Sequence, residues 1–172
     1  GSVENIAAIA EILSDYPDVP LILDPVLASG RGDELATEDM TRALRELLLP
    51  QTTILTPNTL ELRRLAEAEE DDERTLEQYA AKLIETGCEY VLVTGTHENT
   101  PQVINTLYGK NGVVRTDSWP RLAGSFHGSG CTLASAIAAM LANGLDLPEA
   151  VREAQDYTWQ TLKKAYRPGM GQ

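Results

Sequence analysis

Cysteine, histidine and aromatic residues are scarce in this 172-residue chain, which has two Cys, two His, two Trp and a single Phe. Cys88 and Cys131 stand far apart in unlike surroundings, which argues against a disulfide framework and for a reducing compartment. Together with the two histidines they lack zinc-ligand spacing. Lys and Arg number 14 against 26 Asp and Glu, and the resulting formal charge of −12 disfavours nucleic acid and anionic membranes as partners. No apolar run approaches the ~18 residues that would span a bilayer. No basic stretch followed by an apolar one marks a secretory leader. A cytoplasmic location is therefore expected. Neither G-x-x-x-x-G-K-[ST] nor a complete G-x-G-x-x-G is present, so the two commonest nucleotide signatures are missing.

What is present is an alternation of short apolar runs with helical stretches, over a length that suits one domain. Val3 to Leu13 places Ile6, Ile9, Ala10 and Leu13 at helical spacing. Further helices are expected over Thr37 to Leu49, Leu60 to Ala66, from Thr75 (a capping box with Gln78) to Gly87, Thr132 to Asn143, and about Pro148 to Ala165. Strands are expected at Leu21–Leu23, Thr53–Leu55 and Tyr90–Thr94. Val103–Tyr108 and Val113–Thr116 flank a hairpin turn at Gly109–Gly112. Apolar strands separated by helices predict an α/β fold with a mostly parallel sheet covered on both faces and an antiparallel hairpin at one end. The acidic cluster at Glu67, Glu69, Glu70, Asp71, Asp72 and Glu73 reads as a solvated loop between helices.

In such sheets, ligands gather at the C-terminal ends of the strands. Polar residues fall there: Asp24 after the first strand, Thr56 and Asn58 after the second, Thr94 and Gly95 after the third. Gly128-Ser129-Gly130-Cys131 precedes an apolar helix whose unpaired N–H groups and positive dipole end would face an anion. A tight turn explains the same glycines. Asp24 could bind a metal through water or cap the next turn. Asn58 and Glu61, one helical turn apart, offer hard ligands to Mg²⁺ or form an N-cap with its third-position glutamate. Cys131 could act as a base, its pKa lowered by the helix dipole, or be a small packed residue. His127 serves a ligand or its own loop, His97 is peripheral, and Cys88 is structural.

The segments LILDPV (Leu21–Val26), TPNTLE (Thr56–Glu61), VLVTGTH (Val91–His97) and FHGSGCTLASAIAA (Phe126–Ala139) resemble, in order, those of ribokinase-like small-molecule kinases. Within that superfamily they resemble the hydroxymethylpyrimidine/phosphomethylpyrimidine kinases of thiamine biosynthesis. The cysteine at position 131 is the sharper marker, because most relatives carry aspartate there. The resemblance implies a three-layer α/β/α fold and phosphoryl transfer from ATP, with Mg²⁺, to an aminopyrimidine hydroxymethyl group and then to the monophosphate. It also implies that Gly128, Ser129, Gly130 and Cys131 form the anion hole, with Cys131 as base. Asn58 and Glu61 would organise Mg²⁺ and its waters, with Asp33 as a further acidic residue. Asp24, Thr56, Thr94 and Gly95 would border the nucleotide. Relatives of this kind begin with a strand and a glycine-rich G-S-D segment. Here the sequence begins in a helix, so the N-terminal strands and part of the acceptor pocket are expected to be missing. Two other readings stay open: a pyridoxal-type kinase, and a non-catalytic module whose sheet edge pairs with another chain, a homo-oligomer among them.

Overall fold

The computed structural model describes residues 1–28, 35–69, 71–96, 100–124 and 126–166. Three strands run parallel: β1 (Ile22–Leu23), β2 (Ile54–Leu55) and β3 (Tyr90–Thr94), in register Ile22↔Ile54↔Tyr90. β4 (Gln102–Gly109) turns back antiparallel to β3, and β5 (Gly112–Pro120) pairs antiparallel with β4 in a hairpin tipped by Lys110 and Asn111. The sheet order is β1-β2-β3-β4-β5, so every strand except β4 points the same way. The hairpin strands outrun their expected bounds. Asp117, Ser118 and Gln102 are polar positions that an apolar-run reading passes over, yet pairing continues to Gln102↔Pro120.

Successive strand side chains point to opposite faces, and the core divides accordingly. Leu55, Val91, Val93 and Tyr108 pack with α3 (Thr59–Leu65) and α4 (Leu76–Glu85). Ile54, Leu92 and Leu107 pack with α5 (Ser129–Ala142) and α6 (Leu147–Lys163). Helices on both faces complete an α/β/α three-layer arrangement. No helix among the described residues is long and apolar enough to cross a membrane.

Two expected helices show features that helical spacing does not report. α1 (Val3–Ser14) forms, capped by Ser2, but only Ala10 of its apolar stripe is buried; Ile9 remains 47% exposed. α2 (Glu38–Ala43), capped by Thr37, gives way to a π-helical turn over Leu44–Leu48 and a 3₁₀ turn over Leu49–Gln51. Pro50 is the physical reason: it has no N–H to give, and its ring crowds the carbonyl four residues back, so the last turn widens. A third helix starts earlier than expected. α5 begins at Ser129, so Ser129, Gly130 and Cys131 form its first turn rather than a loop ahead of it.

Leu92 is fully buried between β2, β4 and the α5–α6 layer. Leu92→Ala should lower unfolding free energy by about 2–5 kcal/mol, whereas Ile9→Ala should change it by less than about 0.5 kcal/mol. Denaturant titration of the two variants checks the contrast; equal losses would mean that α1 is packed more tightly than its exposure indicates.

Candidate active site

One cavity of about 500 Å³ opens at the C-terminal ends of β1, β2 and β3. That volume lies within the range of small-molecule sites. Asp24, Thr56, Asn58, Glu61 and Thr94 line it from the strand exits, and Gly128 to Cys131 line it from the start of α5. The residues singled out in four separate segments of the sequence therefore meet in one place. Gly95 is not among the described residues that line it. Its N–H donates to Asn105 Oδ1 at 3.1 Å, and a Cβ at this position would lie 2.3 Å from the Ile104 carbonyl oxygen, so only glycine fits. Asp33 and His97 lie outside the described residues.

α1, α2, α3, α4 and α6 each begin with a side chain that accepts a backbone N–H of the first turn: Ser2, Thr37, Asn58, Thr75 and Asp146. α5 begins instead at Gly128, with φ +80° and no side-chain cap. A side chain there would be strained in the left-handed region, and a capping oxygen would occupy the N–H groups. The first turn of α5 thus presents its donors and the positive end of its dipole to the cavity.

The Asp24 carboxylate stands against that turn: a Cβ placed on Gly130 would lie 3.3 Å from Asp24 Oδ2. Burial pushes the Asp24 carboxyl above its ordinary range, opposed by a hydrogen bond from the Cys131 thiol. Burial also raises Glu61; bonds from the Asn58 and Leu27 N–H groups oppose it, and the Asp24 charge adds to it. The Cys131 thiol lies above its ordinary value as well, through partial desolvation and then the Asp24 charge and hydrogen bond. The direction is opposite to the lowering expected from the helix terminus: desolvation first, and then the Asp24 charge and hydrogen bond, raise the thiol pKa. Cys131 is solvent-exposed, whereas Cys88 is buried, donates to the Tyr90 carbonyl and has its pKa pushed up to about 12. Cys88 is structural, as expected.

Asn58 and Glu61 form a complete capping box. Asn58 Oδ1 accepts Leu60 N and Glu61 N, each at 2.9 Å, while Glu61 Oε2 accepts Asn58 N at 2.9 Å and Oε1 accepts Leu27 N at 3.4 Å. Two bonds fill the lone pairs of the amide oxygen, so Asn58 has nothing left with which to bind a cation directly. The carboxylates keep acceptor capacity, and no described Lys or Arg pairs with Asp24 or Glu61. Two half-buried, uncompensated carboxylates fit a hydrated divalent cation held through its waters. Among the described residues no cluster of three or more His, Cys, Asp or Glu could enclose a metal.

A second wall went unread in the sequence. Trp119, Trp159, Val103, Leu122 and Leu162 give it apolar and aromatic surface, and Asn105, Gln155 and Thr158 lie among them. The two indoles sit 6.2 Å apart, tilted by 31°. One signal was available: Gln155 interrupts the buried stripe Ala150, Val151, Ala154 and Thr158 of α6. Arg121 reaches across to the carbonyls of Gly95, Thr96 and Thr100 at 3.3, 2.8 and 2.6 Å.

Residues 1–172 match the phosphomethylpyrimidine kinase family. A hydroxymethylpyrimidine/phosphomethylpyrimidine kinase of Streptomyces coelicolor is 35% identical over 99% of this chain and 62% of its own length. The crystal structure of a Clostridium difficile phosphomethylpyrimidine kinase superposes with a TM-score of 0.76 at 28% identity, over 94% of this chain and 65% of that one. A Staphylococcus aureus pyridoxal kinase, solved with AMP-PCP and pyridoxal, gives a TM-score of 0.84 at 24% identity, over 99% and 61% of the two chains, and carries the fold alone. The chain spans about three fifths of the length of these relatives.

If Asp24 governs the thiol, Asp24→Asn should lower the apparent pKa of Cys131. Alkylation by iodoacetamide at about pH 8, where only the thiolate reacts, should then be faster in the variant, with buried Cys88 silent. Superimposable rate–pH profiles would remove the carboxylate from control of the sulfur.

Proposed function

The chain belongs to the phosphomethylpyrimidine kinase family, and from that premise we propose that it carries the nucleotide site and transfer centre of an ATP-dependent small-molecule kinase. Residues 1–172 act as a single ribokinase-like domain on this reading. The acceptor is the hydroxymethyl group of an aminopyrimidine, and then the resulting monophosphate. The observation that carries the proposal is the uncapped start of α5, with Asp24 and Cys131 beside it in one cavity.

Phosphoryl transfer leaves a protein little to do beyond positioning and stabilising charge. The N–H groups of Ser129, Gly130 and Cys131 would receive the charge that builds on the transferring group. Cys131, as the thiolate, would take the hydroxyl proton. Desolvation and then the Asp24 charge disfavour that thiolate, so a cation that neutralises Asp24 would raise the fraction able to accept a proton. Asp24 and Glu61 would hold the waters of Mg²⁺, which when bound supplies the compensating charge and shields the phosphates. Asn58 serves by capping α3 and thereby fixing Glu61. Thr56 and Thr94 would border the phosphates, and the apolar wall at Trp119 and Trp159 would face the base.

Calorimetry should detect Mg·ATP binding to the chain, and absence of any binding would overturn the proposal. Glu61→Gln keeps an acceptor for the capping box but removes the charge. It should weaken Mg-dependent ATP binding about tenfold, or ~1.4 kcal/mol; equal affinity in both proteins would end the metal role of Glu61. Turnover assays with hydroxymethylpyrimidine and with pyridoxal identify the acceptor. Cys131→Ala should cut transfer by roughly 10²-fold or more without weakening Mg·ATP binding; unchanged turnover would exclude the thiol as base.

A further inference from the structure

Behind the aromatic wall runs a continuous chain of buried hydrogen bonds. Arg115 Nε and Nη2 donate to Asp117 Oδ2 and Oδ1 at 2.8 and 2.9 Å. Gln155 Nε2 donates to the same Asp117 Oδ2 at 2.9 Å. Gln155 Oε1 accepts from Asn105 Nδ2 at 2.8 Å and from Trp119 Nε1 at 3.0 Å. Asn105 Oδ1 then accepts the Gly95 N–H at 3.1 Å. Asn105, Asp117 and Gln155 are 7, 9 and 3% exposed, so water cannot stand in for a lost partner.

One charge orients every amide in this chain. A carboxylate only accepts, so Gln155 must turn its NH₂ to Asp117 and its oxygen to Asn105 and Trp119. An indole N–H only donates, which agrees. Asn105 must then offer its NH₂ to Gln155, and its oxygen is left facing the Gly95 N–H. Reversing either amide would set like against like in a buried site.

One branch of this network ends on the cavity at Trp119, and the other ends at Gly95, next to the cavity-lining Thr94. Gly95 follows Thr94 at the β3 exit, where Thr94 N is held by the Pro57 carbonyl at 2.9 Å. Trp119 lines the cavity and is fixed from behind, with the Arg152 guanidinium 4.5 Å from its ring centroid and 3.7 Å from Asp117 Oδ1. We propose that Gln155 and Asn105 are positioning residues that carry the polarity of the Arg115–Asp117 pair to the β3 exit and to the Trp119 indole, and so set nucleotide affinity. This inference rests on the kinase reading above. A network that served packing alone would govern stability and leave affinity untouched.

Trp119 and Trp159 are the chain's two tryptophans, so their emission reports on this wall directly. In a Mg·ATP titration of the full chain, followed by emission and calorimetry, Gln155→Glu should bind about tenfold more weakly than wild type, because it sets a second carboxylate against Asp117. The exchanged pair Asp117→Asn with Gln155→Glu keeps the charge but reverses the bond between the two residues and sets an amide NH₂ against an Arg115 N–H, so it should leave affinity below wild type. Gln155→Glu with wild-type affinity would overturn the inference. Should Gln155→Glu not fold, Asn105→Ala decides. It should speed amide exchange at Gly95 and weaken Mg·ATP binding, and no change in either would overturn the role of the network. Wild-type protein that binds no Mg·ATP would overturn the kinase reading, and with it the control of nucleotide affinity by Gln155 and Asn105.

Discussion

Asp24 sets its carboxylate against the positive end of α5, and the organisation of the cavity follows from that contact. The strand exit delivers a negative charge to the one α-helix start among the described residues that no side chain caps. Burial makes the charge costly, Glu61 adds a second beside it, and no described cation balances the two. The Cys131 thiol, bonded to Asp24, has its pKa raised first by desolvation and then by that negative charge. On the proposed function, a bound cation would relieve both carboxylates and favour the thiolate, with the helix dipole facing the phosphate oxygens and the carboxylates facing the metal.

The layers on either side of the sheet have separate duties in holding this centre. α3 and α4 pack against Leu55, Val91 and Val93, and the capping box at the start of α3 spends Asn58 on the helix so that Glu61 points back at Leu27 and the cavity. α5 and α6 pack against Ile54, Leu92 and Leu107, and bring the uncapped first turn of α5 and Gln155 to the same opening. The hairpin adds the aromatic wall. Its outer strand is polar and largely exposed along its length, yet it contributes Trp119 at its end and Asp117 two residues earlier, where the buried network begins. The groups that line the cavity and those that support them thus come from both faces of the sheet and from its antiparallel edge.

Much of this was legible in the sequence because short-range physics decides it. Apolar strand runs, caps at Thr75 and Asp146, the glycine before the α5 helix and polar residues at three strand exits are local patterns, and each marks the place where it acts. The family resemblance was legible for the same reason, since it rests on four contiguous motifs. The end of α2 was misread because Pro50 acts backwards on the preceding turn. The helix of α1 was legible, but not how little of its stripe is buried, because periodicity shows an apolar face without showing what covers it.

Three features belong to the tertiary structure alone. The Cys131 pKa shift comes from desolvation and from the charge of Asp24, a residue 107 positions away in sequence, and both follow distance in space. The need for glycine at position 95 depends on the Ile104 carbonyl and the Asn105 amide of a neighbouring strand, a close backbone approach that no local pattern shows. The aromatic wall and its network join β3, β4, β5 and α6, through residues whose individual spacing carries no motif. By itself the sequence determined the elements, their layering and the ends of the strands that would hold a site, because propensity and hydrophobic period act over a few residues. Which charges meet, and which side chains orient one another, was decided only when the chain closed, because those interactions exist between segments and in none of them singly.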